Sequence, residues 1–263
     1  MSNEAAIQVE RRDGVALITM NRPDRHNAFD DIFIAELTGI LKDLDSDESV
    51  RMVVLGGNGK SFSAGADLNW MRRMAGYTKE QNEADALALA ELMETLDGLR
   101  KPTVARVHGA AVGGGVGLVA CCDIAIAAEG ATFCLSEVKL GMIPAAISPY
   151  VVKAMGERNA RRYFVTAERF DAAEATRIGL VHEHVPADAL DTRIQELLKQ
   201  MQGNGPKAMA AAKELALDVG GGRIDRAMIE DTARRIANIR VGDEGQEGMS
   251  AFLEKRKPAW LKE

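Results

Sequence analysis

The sequence is poor in aromatic residues and cysteines, and it has no excess of positive charge. Aromatic residues make up 5% of the 263 residues, and there are 3 cysteines with no CxxC pair. The apolar surroundings of Cys121, Cys122 and Cys134 indicate reduced core residues and give no zinc signal. The formal net charge of -6 disfavours a nucleic-acid partner, because phosphate binding needs a basic surface.

Long apolar runs are also lacking. The most apolar stretch, residues 104–128, contains Arg106, His108 and Asp123 together with several glycines, so it is not predicted to span a membrane. Residues 1–12 contain no apolar core of a signal peptide. Hydrophobic residues make up 46% of the chain, which is typical of a globular protein. We therefore expect a cytoplasmic protein that does not associate with membranes.

Strand and helix patterns alternate in the first half of the chain, whereas the last part is mostly helical. Residues 7–21 alternate around Asp13-Gly14, which is a strong hairpin signal. Periodicity predicts further strands at 52–57, 103–109, 123–128, 132–137 and near 180–184, and helices at 30–45, 79–99, 113–122, 206–218, 223–240 and 244–255. This order indicates an α/β core over residues 1–195 and a helical region over 196–263.

Two segments of small residues indicate places where a ligand could approach the backbone. In KSFSAGADL, residues 60–68, residues with almost no side chain follow a predicted strand. In HGAAVGGGVGL, residues 108–118, three glycines precede a predicted helix, whose N-terminal N–H groups attract negative charge. Each segment alone is also compatible with a tight turn packed against a neighbour. A nucleotide loop is disfavoured, since there is no P-loop sequence and no GxGxxG in a strand–turn–helix frame.

Two such loops in one chain suggest a pair of N–H donors directed at one oxygen, which is an oxyanion hole. Acyl transfer and enolate chemistry both use this device. Acyl transfer needs a nucleophile, but the sequence has no GxSxG motif, and Cys121 and Cys122 lie in an apolar run. Enolate chemistry needs only an acid–base group beside the α-carbon, so the sequence favours it.

A candidate for that group is Glu137, in the segment LSEVKLGMIP at 135–144. It stands between apolar residues at the predicted end of a strand, and such surroundings raise the pKa of a carboxyl group toward neutral pH. The alternative is a solvated glutamate that pairs with Lys139. The two small-residue loops favour the acid–base role.

Together these motifs resemble the crotonase superfamily, which contains the enoyl-CoA hydratases and isomerases. The resemblance covers nearly the whole chain and is carried by NRPDRHNAFD at 21–30, FSAGADL at 62–68, KPTVARVHGAAVGGG at 101–115, DIAIAAEGATFCLSEVKLGMIP at 123–144 and AFLEKRKPAW at 251–260. It implies an α/β fold with a spiral of ββα turns over residues 1–195. It also implies a helical trimerisation region over 196–263 that builds homotrimers and often hexamers.

The resemblance further implies an acyl-CoA thioester substrate and assigns roles to particular residues. The N–H groups of Ala66 and Gly114 would form the oxyanion hole, and Glu137 would be the principal acid–base group. Residues implied to bind the substrate or its CoA moiety are Arg25, Ser63, Ala64, Asp67, Leu68, Lys101, Gly113 and, from a neighbouring subunit, Lys255. No metal is expected, and no cofactor beyond the CoA that the substrate carries.

The sequence departs from the superfamily pattern at one catalytic position. Two-carboxylate hydratases read GGGxE, and Gly117 stands where that glutamate would be. The segment AAISPYV at 145–151 also replaces a glycine-rich one, so a reshaped pocket floor is expected. Glu137 could then act alone as an isomerase or as a one-carboxylate hydratase. Alternatively, another polar group could hold the water, and the candidates are Tyr150, Ser148 or a residue of 69–80.

General similarity is greatest to bacterial hydratases of branched, dicarboxylic enoyl-CoA esters. The nearest are the 3-methylglutaconyl-CoA hydratases of leucine breakdown, followed by the isohexenylglutaconyl-CoA hydratases. A distal carboxylate on such a substrate would be met by Arg72, Arg73 or Lys79. The alternative from another functional class is a non-catalytic acyl-CoA-binding protein, which the glycine at position 117 favours and the retained Glu137 opposes.

Overall fold

A computed structural model describes residues 5–261, which form two compact units. The first comprises the chain up to Leu99 together with Thr103–Ile194, and the second comprises Arg100–Pro102 and the chain from Gln195 onward. Residues 1–4, which belong to the segment without a signal-peptide core, and residues 262–263 lie outside the described residues. Within residues 5–261, no helix combines the length and the apolar character needed to cross a membrane.

A six-stranded sheet forms the centre of the first unit, with strand order β1-β2-β3-β5-β7-β10. Its strands are β1 (Ile7–Arg12), β2 (Val15–Met20), β3 (Met52–Gly57), β5 (Thr103–Val107), β7 (Ile124–Ala128) and β10 (Glu183–Val185). The first two pair in antiparallel fashion through the predicted turn, where Asp13 and Gly14 both have positive φ. The other neighbours are parallel.

A second, four-stranded sheet has the order β4-β6-β8-β9, and its first three strands are parallel to one another. Its strands are β4 (Ser61–Ser63), β6 (Ala110–Val112), β8 (Thr132–Cys134) and β9 (Phe170–Asp171). Each follows a strand of the large sheet or, for β9, a pair of helices. Strands β4, β6 and β9 were not predicted from the sequence, because strands of two or three residues are too short to show a period of two.

Helices alternate with these strands as the α/β interpretation predicts. The helices of the described residues are α1 (Asp31–Ser46), α2 (Leu68–Met74), α3 (Lys79–Asp97), α4 (Gly114–Cys121), α5 (Ser148–Met155), α6 (Glu157–Thr166), α7 (Ala172–Arg177), α8 (Leu190–Gln202), α9 (Pro206–Val219), α10 (Arg226–Val241) and α11 (Asp243–Leu253). The spacing of buried Leu37, Leu41 and Leu44 turns one face of α1 into the core. Asp30 caps this helix by accepting a hydrogen bond from the Phe33 N–H.

The second unit contains α9, α10 and α11, together with the part of α8 from Gln195 onward. The Glu244 carboxylate accepts hydrogen bonds from the N–H groups of Lys207 and Ala208, at 3.0 and 2.7 Å, and so caps the first turn of α9. Large apolar side chains of this unit stay exposed in the single chain. Ile224 and Phe252 are 81% and 83% exposed, which is typical of a surface that a partner covers.

Candidate active site

Three segments that carry the predicted site residues follow neighbouring strands of the small sheet. Ala66 comes shortly after β4, Gly114 after β6 and Glu137 after β8. These strands pair in parallel, with Ser63 opposite Ala111 and Val112 opposite Cys134. Because parallel strands end at the same edge of a sheet, all three segments meet there, as ligand-binding segments of α/β sheets commonly do.

The segment after β4 leaves one N–H group unused. Gly65 has φ of +81°, and a Cβ there would lie 2.7 Å from the Val112 carbonyl oxygen and 3.7 Å from the Gly114 nitrogen. Its carbonyl accepts a hydrogen bond from the Phe29 N–H at 2.8 Å, and the Asp67 N–H donates to the Phe29 carbonyl at 3.0 Å. Between them, Ala66 donates its N–H to no acceptor among the residues that the structure describes.

The segment after β6 provides a second unused N–H beside the first. Gly113 adopts φ of 54° and ψ of -120°, a conformation that glycine tolerates best, and α4 begins directly after it at Gly114. At the start of a helix the N–H of Gly114 has no intrahelical acceptor, and it meets none elsewhere in residues 5–261. The partial positive charge of the helix N-terminus adds to its affinity for an anion.

The carboxyl group of Glu137 packs against Gly113. A Cβ at Gly113 would lie 3.1 Å from Oε1 of Glu137, so a side chain there would crowd the carboxyl group. Oε2 is buried and has no hydrogen-bond partner in the described part of the chain. Burial raises the pKa of Glu137, outweighing a hydrogen bond from its own N–H. The sequence predicted a shift in this direction.

The backbone around Glu137 differs from the prediction in one respect. The strand predicted over 132–137 ends at Cys134, and Glu137 begins a 3-10 turn over Glu137–Leu140 that closes at Gly141 with φ of 71°. The placement of Glu137 at a strand end was therefore wrong. The suggested pairing with Lys139 is not among the ion pairs of the described residues, since the turn carries Lys139 to the exposed side.

The space beside Gly117 is occupied by an isoleucine. A Cβ at Gly117 would lie 2.3 Å from Cγ2 and 2.8 Å from Cβ of Ile147, and 3.1 Å from Sδ of Met93. Ile147 is 2% exposed and comes from the unusual 145–151 segment. The two departures from the superfamily pattern are therefore one feature, because Ile147 fills the volume in which a side chain at position 117 would begin.

Tyr150 and Ser148 were candidates for holding the water molecule, and neither is well suited to it. Burial raises the pKa of Tyr150 to about 12, and the nearby Cys121, Asp97 and Glu94 add to that shift. These three neighbours lie at the C-terminal ends of α3 and α4, whereas the site lies at the N-terminus of α4. The Ser148 hydroxyl donates to the Ala145 carbonyl at 2.8 Å within its own turn.

Among the predicted substrate-binding residues, Asp67 and Leu68 directly follow Ala66, and Arg25 contacts Asp67. Asp67 caps α2 through the N–H groups of Asn69 and Trp70 and contacts Arg25 at 3.4 Å. Burial alone would raise the pKa of Asp67, but these hydrogen bonds and the positive charge of Arg25 lower it. The next residue, Leu68, is 70% exposed and begins α2.

Ser63 and Ala64 are engaged within the protein. The Ser63 hydroxyl is fully buried, donates to the Asn27 carbonyl at 2.9 Å and accepts from the Gly65 N–H at 3.2 Å. The Ala64 N–H donates to the His26 carbonyl at 2.9 Å. In this conformation the Ser63 hydroxyl and the Ala64 N–H are therefore not available to bind CoA. Instead, both residues support the loop that carries Ala66.

Lys101 and Lys255 belong to the second unit, and their part in CoA binding stays a prediction. Within residues 5–261, no group of three or more histidine, cysteine, aspartate or glutamate side chains is placed to hold a metal ion. Sequence reasoning missed two residues that shape the site, Ile147 and Phe29. The replaced glycine-rich segment was a signal for Ile147, whereas an apolar residue such as Phe29 carries no signal that distinguishes it from core.

A substitution at Gly117 tests the packing against Ile147. We expect Gly117→Ala to lower the free energy of unfolding by about 1–2 kcal/mol, because overpacking a buried site outweighs the gain in helix propensity. Gly39, in the middle of α1, gives the matched control, because a Cβ added there would meet nothing within 4 Å. Gly39→Ala should stabilise by roughly 0.5–1 kcal/mol. Urea unfolding measures both, and equal effects at the two positions would contradict the packing.

The raised pKa of Glu137 predicts a pH-dependent stability difference from Glu137→Gln. Below the ordinary glutamate pKa both the folded and the unfolded chain hold the proton, so the two proteins should be equally stable. As the pH rises through the folded-state pKa, the wild type loses stability, because the unfolded chain ionises more readily. Glu137→Gln should therefore be the more stable protein at neutral pH. Denaturant titrations at several pH values measure this, with Glu129→Gln at an exposed turn as control; a pH-independent difference would refute it.

Known proteins resemble this chain over almost its whole length. The model of the enoyl-CoA hydratase/isomerase family matches residues 10–263. The 2,3-dehydroadipyl-CoA hydratase of Escherichia coli K12 is 32% identical over 95% of this chain and 96% of its own. An enoyl-CoA hydratase of Alternaria alternata is 34% identical over 95% of this chain and 82% of its own. The crystal structure of an enoyl-CoA hydratase from Shewanella pealeana superposes with a TM-score of 0.95 at 50% identity, covering 97% of this chain and 96% of that one. The chain therefore belongs to the enoyl-CoA hydratase/isomerase family, has the crotonase fold, and is an enzyme of the enoyl-CoA hydratase type.

Proposed function

We propose that the enzyme adds water across the 2,3 double bond of a branched or dicarboxylic enoyl-CoA with Glu137 as its principal acid–base group. The observation that carries this proposal is the convergence of two unused N–H groups, those of Ala66 and Gly114, with one buried carboxyl group at a single sheet edge. Such donors stabilise the negative charge that develops on a thioester oxygen.

The chemistry follows from this arrangement in two proton transfers. The ionised Glu137 takes a proton from water as the water oxygen bonds to C3 of the substrate, and the electrons of the double bond pass to the thioester oxygen as an enolate. The N–H groups of Ala66 and Gly114 bind that oxygen. Glu137 then gives the proton to C2, so the carboxylate is restored and one water has been added. A raised pKa suits a group that must both accept and release a proton near neutral pH.

Packing at position 117 supports a mechanism with one carboxylate. Ile147 fills the space beside Gly117, so no second carboxyl group enters from α4. The Ser148 hydroxyl is bonded to the Ala145 carbonyl, and burial raises the pKa of the Tyr150 hydroxyl to about 12, so neither is a base that would activate the water. Glu137 then handles both the proton from water and the proton for carbon, with the substrate's own distal carboxylate as a further group that could orient the water.

The positive charge of Arg72 and the name of one relative both support a dicarboxylic substrate. The guanidinium of Arg72 donates to the neutral amide of Asn69 at 2.7 Å, and this bond leaves its positive charge for an incoming carboxylate. Arg73 instead forms an ion pair with Asp31, so Arg72 and Lys79 are the better candidates. The Escherichia coli relative at 32% identity is named for a dicarboxylic enoyl-CoA. The substrate we propose is 3-methylglutaconyl-CoA, with isohexenylglutaconyl-CoA as its longer analogue.

The exposed apolar faces of the C-terminal helices support a homotrimer or a dimer of trimers, and the cytoplasmic location expected from the sequence stays a prediction. Ile229 and Ile236 lie on α10 and Phe252 lies on α11, each at least 48% exposed in the single chain. A partner subunit that covers these side chains would bring its own Lys255 toward a neighbouring CoA phosphate, as charge-assisted contacts favour.

A single-carboxylate isomerase is the second candidate, because Gly117 lacks the carboxyl group of two-carboxylate hydratases. Turnover in water labelled with ¹⁸O distinguishes the two. Wild type should form a product that has gained one labelled water, whereas Glu137→Gln should bind the substrate and lose turnover by at least about 10²-fold. Glu129→Gln is the control and should keep full turnover. Product of unchanged mass and without the label would identify an isomerase.

The same assay tests the acyl group. We expect a higher kcat/KM for 3-methylglutaconyl-CoA than for crotonyl-CoA, by about tenfold or more, since a hydrogen bond to a charged group contributes about 1.5–3 kcal/mol. Arg72→Gln should reduce that preference and leave crotonyl-CoA turnover unchanged, whereas Arg161→Gln, at an exposed position on α6, should change neither. Equal kcat/KM values for the two esters in wild type would disprove the dicarboxylate part.

A further inference from the structure

Phe29 contacts both loops that carry the unused N–H groups. Its backbone forms an isolated parallel bridge with Ala66, through the hydrogen bonds to Gly65 and Asp67. Its ring faces the other loop, since a Cβ at Gly114 would lie 2.5 Å from Cζ and 2.8 Å from Cε2 of Phe29. One buried residue therefore touches the chain on either side of the first donor and the α-carbon of the second.

The ring itself is buried in the core. Phe29 is 1% exposed and stacks on Phe33, with ring centroids 6.3 Å apart and an angle of 16° between the planes. Phe33 is also 1% exposed and lies in the first turn of α1. The backbone hydrogen bonds of Phe29 to Gly65 and Asp67 hold the residue independently of Phe33, so we expect its ring to stay against Gly114 when another apolar side chain stands at position 33.

The backbone before Phe29 is fixed as well. Asn27 is fully buried with φ of 53°, and its amide nitrogen donates to the carbonyls of Asn58 and Ser61 at 2.8 and 2.9 Å. Its side-chain oxygen accepts from the Arg22 N–H at 2.9 Å. The carbonyl of Asn27 accepts from Ser63 at 2.9 Å. These bonds join the segment before Phe29 to the strand β4 that precedes Ala66.

From this geometry we infer that Phe29 is a positioning residue that sets the spacing and direction of the Ala66 and Gly114 N–H groups. It acts through those two residues and touches no substrate atom. The inference rests on the oxyanion hole of the proposed function. Catalytic hydrogen bonds depend steeply on geometry, and a misplacement of about 1 Å can cost about 10²-fold in rate.

The test compares Phe29→Leu with Phe33→Leu. Leucine at position 29 removes the ring atoms that face Gly114, and the same change at Phe33 removes equal volume from an equally buried partner without touching either loop. We expect Phe29→Leu to lower kcat about 10- to 100-fold with KM changed less than about threefold, because binding energy specific to the transition state is lost. Phe33→Leu should leave kcat within about threefold of wild type while lowering the urea midpoint by a similar amount.

A spectroscopic readout separates positioning from stability. Butyryl-CoA labelled with ¹³C at the thioester carbonyl is bound to each protein, and difference infrared spectra give its carbonyl stretch. Two aligned N–H donors should shift the stretch of the bound ester to lower frequency in wild type and in Phe33→Leu. Phe29→Leu should lose a large part of that shift. No shift in wild type would refute the oxyanion hole itself, whereas a full shift in Phe29→Leu would overturn the positioning role alone.

A second substitution covers the case in which Phe29→Leu does not fold. Phe29→Met fills most of the same volume with a flexible chain and lacks the rigid face against Gly114, so it should show the same loss of kcat and of carbonyl shift. Wild-type values of both in folded Phe29→Met, or an equal loss of kcat and shift in Phe33→Leu, would show that Phe29 is an ordinary core residue.

Discussion

The parallel pairing of three very short strands is the constraint on which the site depends. Strands β4, β6 and β8 contribute three residues each, yet their register brings the ends of three distant segments to one edge. Short strands have few hydrogen bonds of their own, so the larger sheet and the buried residues around Phe133 must hold them. Loops that need a defined backbone conformation then start from fixed points, which is how N–H groups become aligned before any ligand arrives.

Glycine and burial work together at that edge. Gly65 and Gly114 allow neighbouring atoms to approach at distances that no Cβ would permit, and Gly113 leaves space for the carboxyl group of Glu137. Glu137 is partly buried at this edge, and the loss of solvation raises its pKa. The packing that shapes the loops thus also raises the pKa of Glu137, so a change in these glycines would alter both the position of the N–H groups and the proton affinity of the carboxylate.

Most of the fold could be predicted from the sequence, and the site could be predicted in part. The Asp13-Gly14 hairpin, the helix at 30–45 and the strand at 52–57 follow from local patterns, and the structure contains each of them. Short strands such as β6 have no periodicity to read, and the end of β8 was placed too late for that reason. Long-range packing is the other limit, because nothing local to Ile147 or Phe29 indicates which glycine each one meets.

The fit between Gly117 and Ile147 has a consequence for how this site could change over generations. A glutamate at position 117 would need the volume that Ile147 now fills, and a smaller residue at 147 would leave a buried void beside the glycine. Either change alone would give a less stable protein. The residues at positions 117 and 147 are therefore coupled by epistasis. On the proposed mechanism, a lineage that holds this pair works with a single carboxylate, and a glutamate could enter at position 117 only if position 147 changed as well.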